Sequence, residues 1–332
     1  MKKNNCSLLV ISKDAAGSST RYRAGQFLPG LEGAGWQVEI FVADSDIAGR
    51  RRMLLAAGRA DVVLVLRKTF GPVTTWLLRR AARRLVFDFD DAVFLASNGK
   101  PSATRYRRFA RMVKQCDQVW AGNTFLADAA IRHNRNARVM PTVVDENQYQ
   151  CADQGQEGSG TIDLVWIGSS STRKYLEKLR PVLNRLAQLR TDFRLKVVAD
   201  FELSDLQMSQ VRVDWSEQVE KQALANANIG IAPMIDNPWT RGKCGLKVLQ
   251  YMAAGLPVVT DAAGVNQEMV VDGQTGLVVS DDDQWAEAIL RLANDRQLQF
   301  EFGKAGRQRL IDLEYTVGAN LNKMESSLGS LV

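Results

Sequence analysis

The chain has 332 residues, 45% of them hydrophobic and 24% charged, with 43 Lys and Arg against 37 Asp and Glu and a formal net charge of +6. At about 150 residues per domain, this length predicts two domains, each able to bury its own core. Eight Pro and 25 Gly exclude a fibrous or disordered chain, and no apolar run reaches the roughly 18–20 residues that span a bilayer.

The opening Met1-Lys2-Lys3 imitates a signal peptide, but its apolar stretch (Cys6 to Ser12) stops at Lys13-Asp14 and reads as a first strand. Further strands are predicted at Gln37–Ala43, Asp61–Leu66, Leu85–Phe89, Gln118–Ala121 and Ala137–Met140, with helices such as Arg21–Gly33 and Thr74–Arg83 between them. A polar, Gly-rich linker is expected at Asp153–Gly160. The alternation then restarts with a strand at Ile162–Ile167 and a helical stretch to about Arg190 that Pro181 should kink or divide. Strands follow at Leu195–Ala199, Val211–Trp215, Ile229–Pro233, Pro257–Thr260 and Gly276–Val279. Helices follow at Glu217–Asn226, Cys244–Ala254, Asp282–Asn294 and from Phe300 onward. Crossover connections of this kind imply two α/β, doubly wound parallel sheets, with ligands outside the carboxyl ends of the strands.

The charge is unevenly spread. Up to Gly160 there are 24 Lys and Arg against 15 Asp and Glu, a balance of +9, whereas the remainder carries −3. Arg50-Arg51-Arg52, Arg79-Arg80, Arg83-Arg84 and Arg105-Tyr106-Arg107-Arg108 concentrate the excess. Such asymmetry points to a polyanionic neighbour: anionic lipid, nucleic acid or a phosphorylated substrate. No recognition motif or aromatic-interleaved basic groove accompanies it, so nucleic acid is not expected. Cys6, Cys116, Cys151 and Cys244 follow no metal-ligand or disulfide spacing, which fits a reducing, cytosolic compartment. His133 is the one histidine and is expected at a surface helix end, so histidine-rich zinc sites are excluded.

The most informative segment runs from Asp236 to Val259. A Gly-containing turn after a strand feeds a helix, and Gly255 and Pro257 close it before a buried strand. Arg241, Lys243 and Lys247 sit around that helix start, where positive charge opposes the helix dipole. A bound diphosphate would offset the conflict.

This segment, with its Met252-Ala253-Ala254-Gly255-Leu256-Pro257-Val258-Val259 ending, resembles the donor-binding signature of GT-B retaining glycosyltransferases of family four, the group 1 glycosyltransferases. Ala262–Val270, Asp272–Leu277, Pro141–Asp145, Ala121–Leu126 and Gly17–Arg23 continue the resemblance, in order, over nearly the whole chain. It implies two Rossmann-like domains facing a central cleft: an acceptor domain over 1–152, a linker over 153–160, a nucleotide-sugar donor domain over 161–314, and a C-terminal helix over 315–332 that crosses back. The implied reaction moves a sugar from a nucleotide-diphosphate sugar to a glycan or lipid-linked acceptor, as in surface polysaccharide or glycolipid assembly. Configuration is retained through same-face attack, and no metal or other cofactor is expected. By resemblance, Lys243, Lys247 and Asp91 are the catalytic candidates. Gly168, Ser169, Arg173, Asp236, Arg241, Gln250, Gly264 and Val265 would bind the donor, and Ser19, Arg21, Arg23, Asp90 and Asn123 would face the acceptor.

The family often has two glutamates with seven residues between them, whose positions here are Gly242 and Gln250. Gln250 can still donate to a ribose hydroxyl, while the sugar contact would have to come from Asp236 or the backbone near Gly264. Arg173 and Lys174 are an approximate counterpart of the family's basic pair. These departures leave open a non-catalytic partner that binds nucleotide sugars or glycans; a sugar-nucleotide epimerase is disfavoured by the scarcity of acid/base residues. Asp88-Phe89-Asp90-Asp91 contains a literal Asp-x-Asp, read here as a strand end whose carboxylates cap the next segment or orient an acceptor hydroxyl, not as a metal site. The Arg-rich helix Thr104–Lys114 and the stretch Val73–Leu85 are candidate contacts with an anionic membrane. In the first, Phe109, Met112 and Val113 would either face inward or dip into the interface. The expected location is cytoplasmic, with possible peripheral attachment to the inner face of the plasma membrane.

Overall fold

The computed structural model describes residues 6–44, 46–151 and 160–332. Met1-Lys2-Lys3 and nearly all of the expected linker lie outside the described residues. In chain order the first elements are β1 (Cys6–Ser12), α1 (Ser18–Arg23), α2 (Leu28–Gly33), β2 (Trp36–Val42), α3 (Ile47–Ala57), β3 (Val62–Leu66), α4 (Pro72–Ala81) and β4 (Arg84–Phe89). They continue with α5 (Ala103–Gln115), β5 (Gln118–Ala121), α6 (Thr124–Ile131), β6 (Ala137–Val139), β7 (Ile162–Ile167), α7 (Arg173–Lys178), α8 (Arg180–Leu189), β8 (Phe193–Val198) and β9 (Ser209–Val213). The rest are α9 (Glu217–Ala225), β10 (Ile229–Ala232), α10 (Pro238–Arg241), α11 (Leu246–Ala253), β11 (Val258–Asp261), α12 (Asn266–Met269), β12 (Gly276–Val279), α13 (Asp282–Asn294), α14 (Arg296–Asp312) and α15 (Val317–Gly329).

Two compact units result. The first holds the chain up to Val143, Asn237–Cys244 and Val317–Val332; the second holds Val144–Asp236 and Gly245–Thr316. Each contains a parallel six-stranded sheet, ordered β2-β1-β3-β4-β5-β6 in the first and β12-β11-β10-β7-β8-β9 in the second. Strands such as Val62–Leu66 are buried on both faces, as a helix-covered parallel sheet requires.

These boundaries correct the expected ones. Residues from Val144 onward fold with the second unit because Val144 N–H donates to the Tyr315 carbonyl at 3.1 Å and Arg307 reaches the Glu146 carbonyl at 2.9 Å. Asn237–Cys244, expected in the donor domain, belongs to the first unit. The last helix, α15, packs on α2, and Leu321 occupies the space a Cβ at Gly30 would need. The predicted single helix over Arg21–Gly33 is broken into α1, a 3-10 turn (Gly25–Phe27) and α2, with Pro29 in the first turn of the last piece. Pro181 likewise sits in the first turn of α8, where its missing N–H is harmless.

Within the second unit, α14 approaches the end of α11 so closely that a Cβ on Gly303 would overlap the Gly255 carbonyl. Gly303→Ala should therefore destabilise this unit by about 1–3 kcal/mol. A lowered thermal unfolding midpoint would register it; an unchanged midpoint would show that the two elements can separate freely.

Candidate functional site

In the first unit, the segments after β1, β3, β4 and β5 carry Ser19 (at the start of α1), Arg67, Asp90 with Asp91, and Asn123. They converge because parallel strands place all their carboxyl ends on one edge. Arg67 organises them. Its Nη1 donates to Ser19 Oγ at 2.5 Å, its Nε meets Asp90 Oδ1 at 3.2 Å, and its Nη2 pairs with Asp91. Ser19 Oγ in turn donates to Asp90 Oδ2 at 3.0 Å. Burial disfavours the charge on Arg67, yet Asp90 and Asp91 outweigh it and hold the guanidinium above its ordinary pKa. Arg67 also has φ +54°, a left-handed conformation that costs a non-glycine residue about 1–2 kcal/mol.

The segment Asn237–Cys244 is fixed to this edge. Asn123 caps α6 through Oδ1, and its Nδ2 donates to the Arg241 and Lys243 carbonyls, both at 3.0 Å. Lys243 Nζ reaches Asp91 Oδ1 at 3.2 Å. Burial and then the nearby Asp90 push the Cys244 thiol pKa up, so it acts as a neutral donor to the Asp90 carbonyl. A Cβ on Gly242 would crowd the Ala92 backbone, which gives a packing reason for the absence of a glutamate there.

Arg23 lies beneath. It is buried, pairs with Asp88 through two nitrogens and donates to the Met140 carbonyl at 2.7 Å. Burial opposes its charge and Asp88 more than compensates, raising its pKa. Arg23 is thus a buried anchor of the sheet edge, in contrast to its expected place facing an acceptor. Arg21 stacks over the Tyr22 ring at 4.5 Å. His133, just past α6, meets the Tyr106 hydroxyl at 3.0 Å through Nε2.

In the second unit, β7 ends at Gly168, where a Cβ would strike the Trp166 ring. Ser169 caps the 3-10 turn Ser170–Thr172, and Ser170 N–H donates to Asp200 at 2.9 Å. Arg173 is directed to Glu177 and over the Phe201 ring at 5.2 Å. Gly245, at φ +64°, opens α11 and packs against Val265, which follows the left-handed Gly264. Lys247, in the first turn of α11, holds its ammonium 4.3 Å from the Trp166 ring centroid. Asp236 is exposed just after β10, whereas Arg241, also exposed, belongs to the first unit.

Gln250 departs from expectation. It is buried, and its Nε2 donates to Glu220 Oε1 at 2.5 Å and to the Tyr149 hydroxyl at 3.5 Å. Glu220 is also buried and takes the Trp215 indole N–H at 2.6 Å. A carboxylate absent from position 250 is therefore supplied beside it from α9. Arg67, Trp166, Glu220 and Asp200 were not singled out from sequence. Arg67 immediately after the apolar run Val62–Leu66 was the available signal; Glu220 on a polar helix gave none.

Residues 161–295 match the family model described as Glycosyl transferases group 1. The alpha-maltose-1-phosphate synthase of Mycolicibacterium smegmatis is 28% identical over 157 residues, 45% of this chain and 35% of that protein. The chain thus spans about a third of the curated relative it matches. Among solved structures, sucrose-phosphate synthase from Thermosynechococcus elongatus aligns with TM-score 0.74 and 16% identity, over 98% of this chain and 99% of that one. Anabaena HepE in complex with UDP and glucose aligns with TM-score 0.72 and 16% identity, over 98% of this chain and 100% of that one. These likenesses establish the two-domain α/β fold as GT-B.

Two substitutions separate strain from charge at Arg67. Arg67→Ala loses the guanidinium and keeps the unfavourable φ, while Arg67→Gly loses the guanidinium and relieves it. Both should be less stable than wild type, with Arg67→Gly the more stable of the two by about 1 kcal/mol in urea unfolding. Equal stabilities would show that the left-handed backbone stores no strain.

Proposed function

Starting from a chain that carries a group 1 glycosyltransferase domain over residues 161–295 on a GT-B fold, we propose that it moves a sugar from a nucleotide-diphosphate sugar to a glycan or lipid-linked acceptor with retained configuration. The observation that carries this reading is the group at the second unit's sheet edge. Lys247 stands over Trp166 beside a glycine-opened helix start, next to the Gly264-Val265 turn. A compact ammonium and the backbone amides of a helix N-terminus suit a diphosphate. Gly168, whose missing side chain admits the Trp166 ring, and Ser169 follow the strand end beside this group.

On this reading, the bond from the anomeric carbon to the diphosphate breaks as the acceptor hydroxyl attacks the same face. The hydroxyl proton passes to the departing phosphate oxygen, and no covalent enzyme intermediate forms. Lys247 stabilises the charge that develops on the diphosphate. Asp90 and Asp91, held by Arg67 and Ser19, accept hydrogen bonds from acceptor hydroxyls. Gln250 acts through Glu220 and Tyr149, holding the wall of the donor site in place instead of donating to ribose itself. HepE in complex with UDP and glucose makes UDP-glucose the first donor to try.

Lys247→Ala should weaken UDP binding by about 10- to 100-fold and lower donor turnover by about 100- to 1,000-fold, as read by calorimetry and by release of UDP. Wild-type affinity in this variant would place the diphosphate elsewhere. Stabilisation of the wild-type protein by a nucleotide sugar with no turnover, even with lipid acceptors, would instead identify a non-catalytic binder.

A further inference from the structure

The helices α3, α4 and α5 pack side by side, with α4 in the middle, and feed one common core beneath them through Met53, Leu78, Phe109 and Met112. Their sequences contain ten basic residues and no acidic one: Arg50–Arg52 in α3, Arg79–Arg80 in α4, and five between Arg105 and Lys114 in α5. Phe109, Met112 and Val113 are fully buried, so the option that they dip into a lipid interface is overturned. The outward apolar groups lie on α4 instead. Val73 is 68% exposed, Trp76 53% and Leu77 37%, and their spacing of three and four places them on one helix face. Arg80, a further turn along, holds its guanidinium 5.0 Å from the Trp76 ring centroid.

Single exposed apolar side chains are ordinary. Three on one helix face, one a tryptophan, between two acid-free basic helices are not. Some flanking cations are neutralised within the protein: Arg52 pairs with Asp44, Arg79 with Asp117 and Arg83 with Asp61. Arg107, Arg108, Arg111 and Lys114 make no ion pair among the described residues and remain available to an external anion. Nucleic acid would use the charge but gains nothing from burying Val73 and Leu77. A bilayer interface takes both: aliphatic groups enter below the headgroups, an indole sits at the boundary, and guanidinium groups meet lipid phosphates.

We propose that this three-helix face docks the first unit on an anionic lipid surface, with Val73, Trp76 and Leu77 entering the interface and the α3 and α5 cations meeting the headgroups. The surface is independent of the sugar-transfer reading, since none of these residues belongs to the candidate site. Each cation near an anionic surface raises partitioning roughly fivefold, and the effect fades within a Debye length.

The test is co-sedimentation of the full chain with phosphatidylcholine vesicles, with or without phosphatidylglycerol. Binding only to the anionic vesicles, weakened by salt, is expected. Val73→Ser/Trp76→Ser should reduce it at least about tenfold while leaving the thermal midpoint and UDP binding unchanged. Arg107→Glu/Arg108→Glu, on exposed positions of another helix, should reduce it independently. Equal binding to neutral and anionic vesicles would overturn the proposal. So would anionic binding that both variants retain. Loss with the Arg variant alone, accompanied by equal affinity for a DNA duplex, would reduce the face to a generic polyanion contact and also overturn it.

Discussion

The ion bridge from Arg67 through Asp91 to Lys243 is the constraint on which the first unit's working edge depends. Loops after four parallel strands would otherwise meet as unconnected turns. One guanidinium ties Ser19, Asp90 and Asp91 together, and Asp91 draws in the segment that carries Lys243. The backbone at Arg67 takes a left-handed conformation to do this. Strain held in place by a fully bonded side chain is more common at working sites than in passive loops. Beneath it, Arg23 and Asp88 form a buried pair that fixes the same edge from below. Removing one partner of such a pair costs far more than the pair contributes, so this edge tolerates little change.

The second unit reaches its arrangement by different means. There, small residues and aromatic rings do the positioning: Gly168 makes room for Trp166, Trp166 faces Lys247, and Gly245 packs on Val265. Buried carboxylates act as hubs. Asp261 receives Lys178, the Met234 N–H and the Trp285 indole, and Glu220 receives Gln250 and Trp215. The unevenness of charge fits this contrast. A basic first unit combines a salt-bridged edge with a cationic helical face, while the second depends on a few placed cations.

Strand order along the chain was legible because buried parallel strands such as Val62–Leu66 are short, β-branched and bounded by turns. The halves were legible too, but their borders were not. Nothing local in Asn237–Cys244 says that its anchors, Asn123 and Asp91, lie more than a hundred residues earlier. The same limit hid Arg67, whose role depends on Ser19 and on Asp90-Asp91, two segments distant in sequence. Gln250 was found by pattern, yet its burial and its Glu220 partner are tertiary facts. On the basic helical face, a helical repeat identified α5 as amphipathic. Only the fold shows that its apolar stripe is spent on the core and that α4 carries the outward one.

On the proposed reading, the first unit's Asp90 and Asp91 would take the acceptor hydroxyl and the second unit's Lys247 the leaving diphosphate. The direct measurement is the anomer first released when the protein hydrolyses UDP-α-glucose slowly without acceptor, followed by proton NMR before mutarotation. Retention predicts α-glucose as the initial product. Initial release of β-glucose would contradict the account.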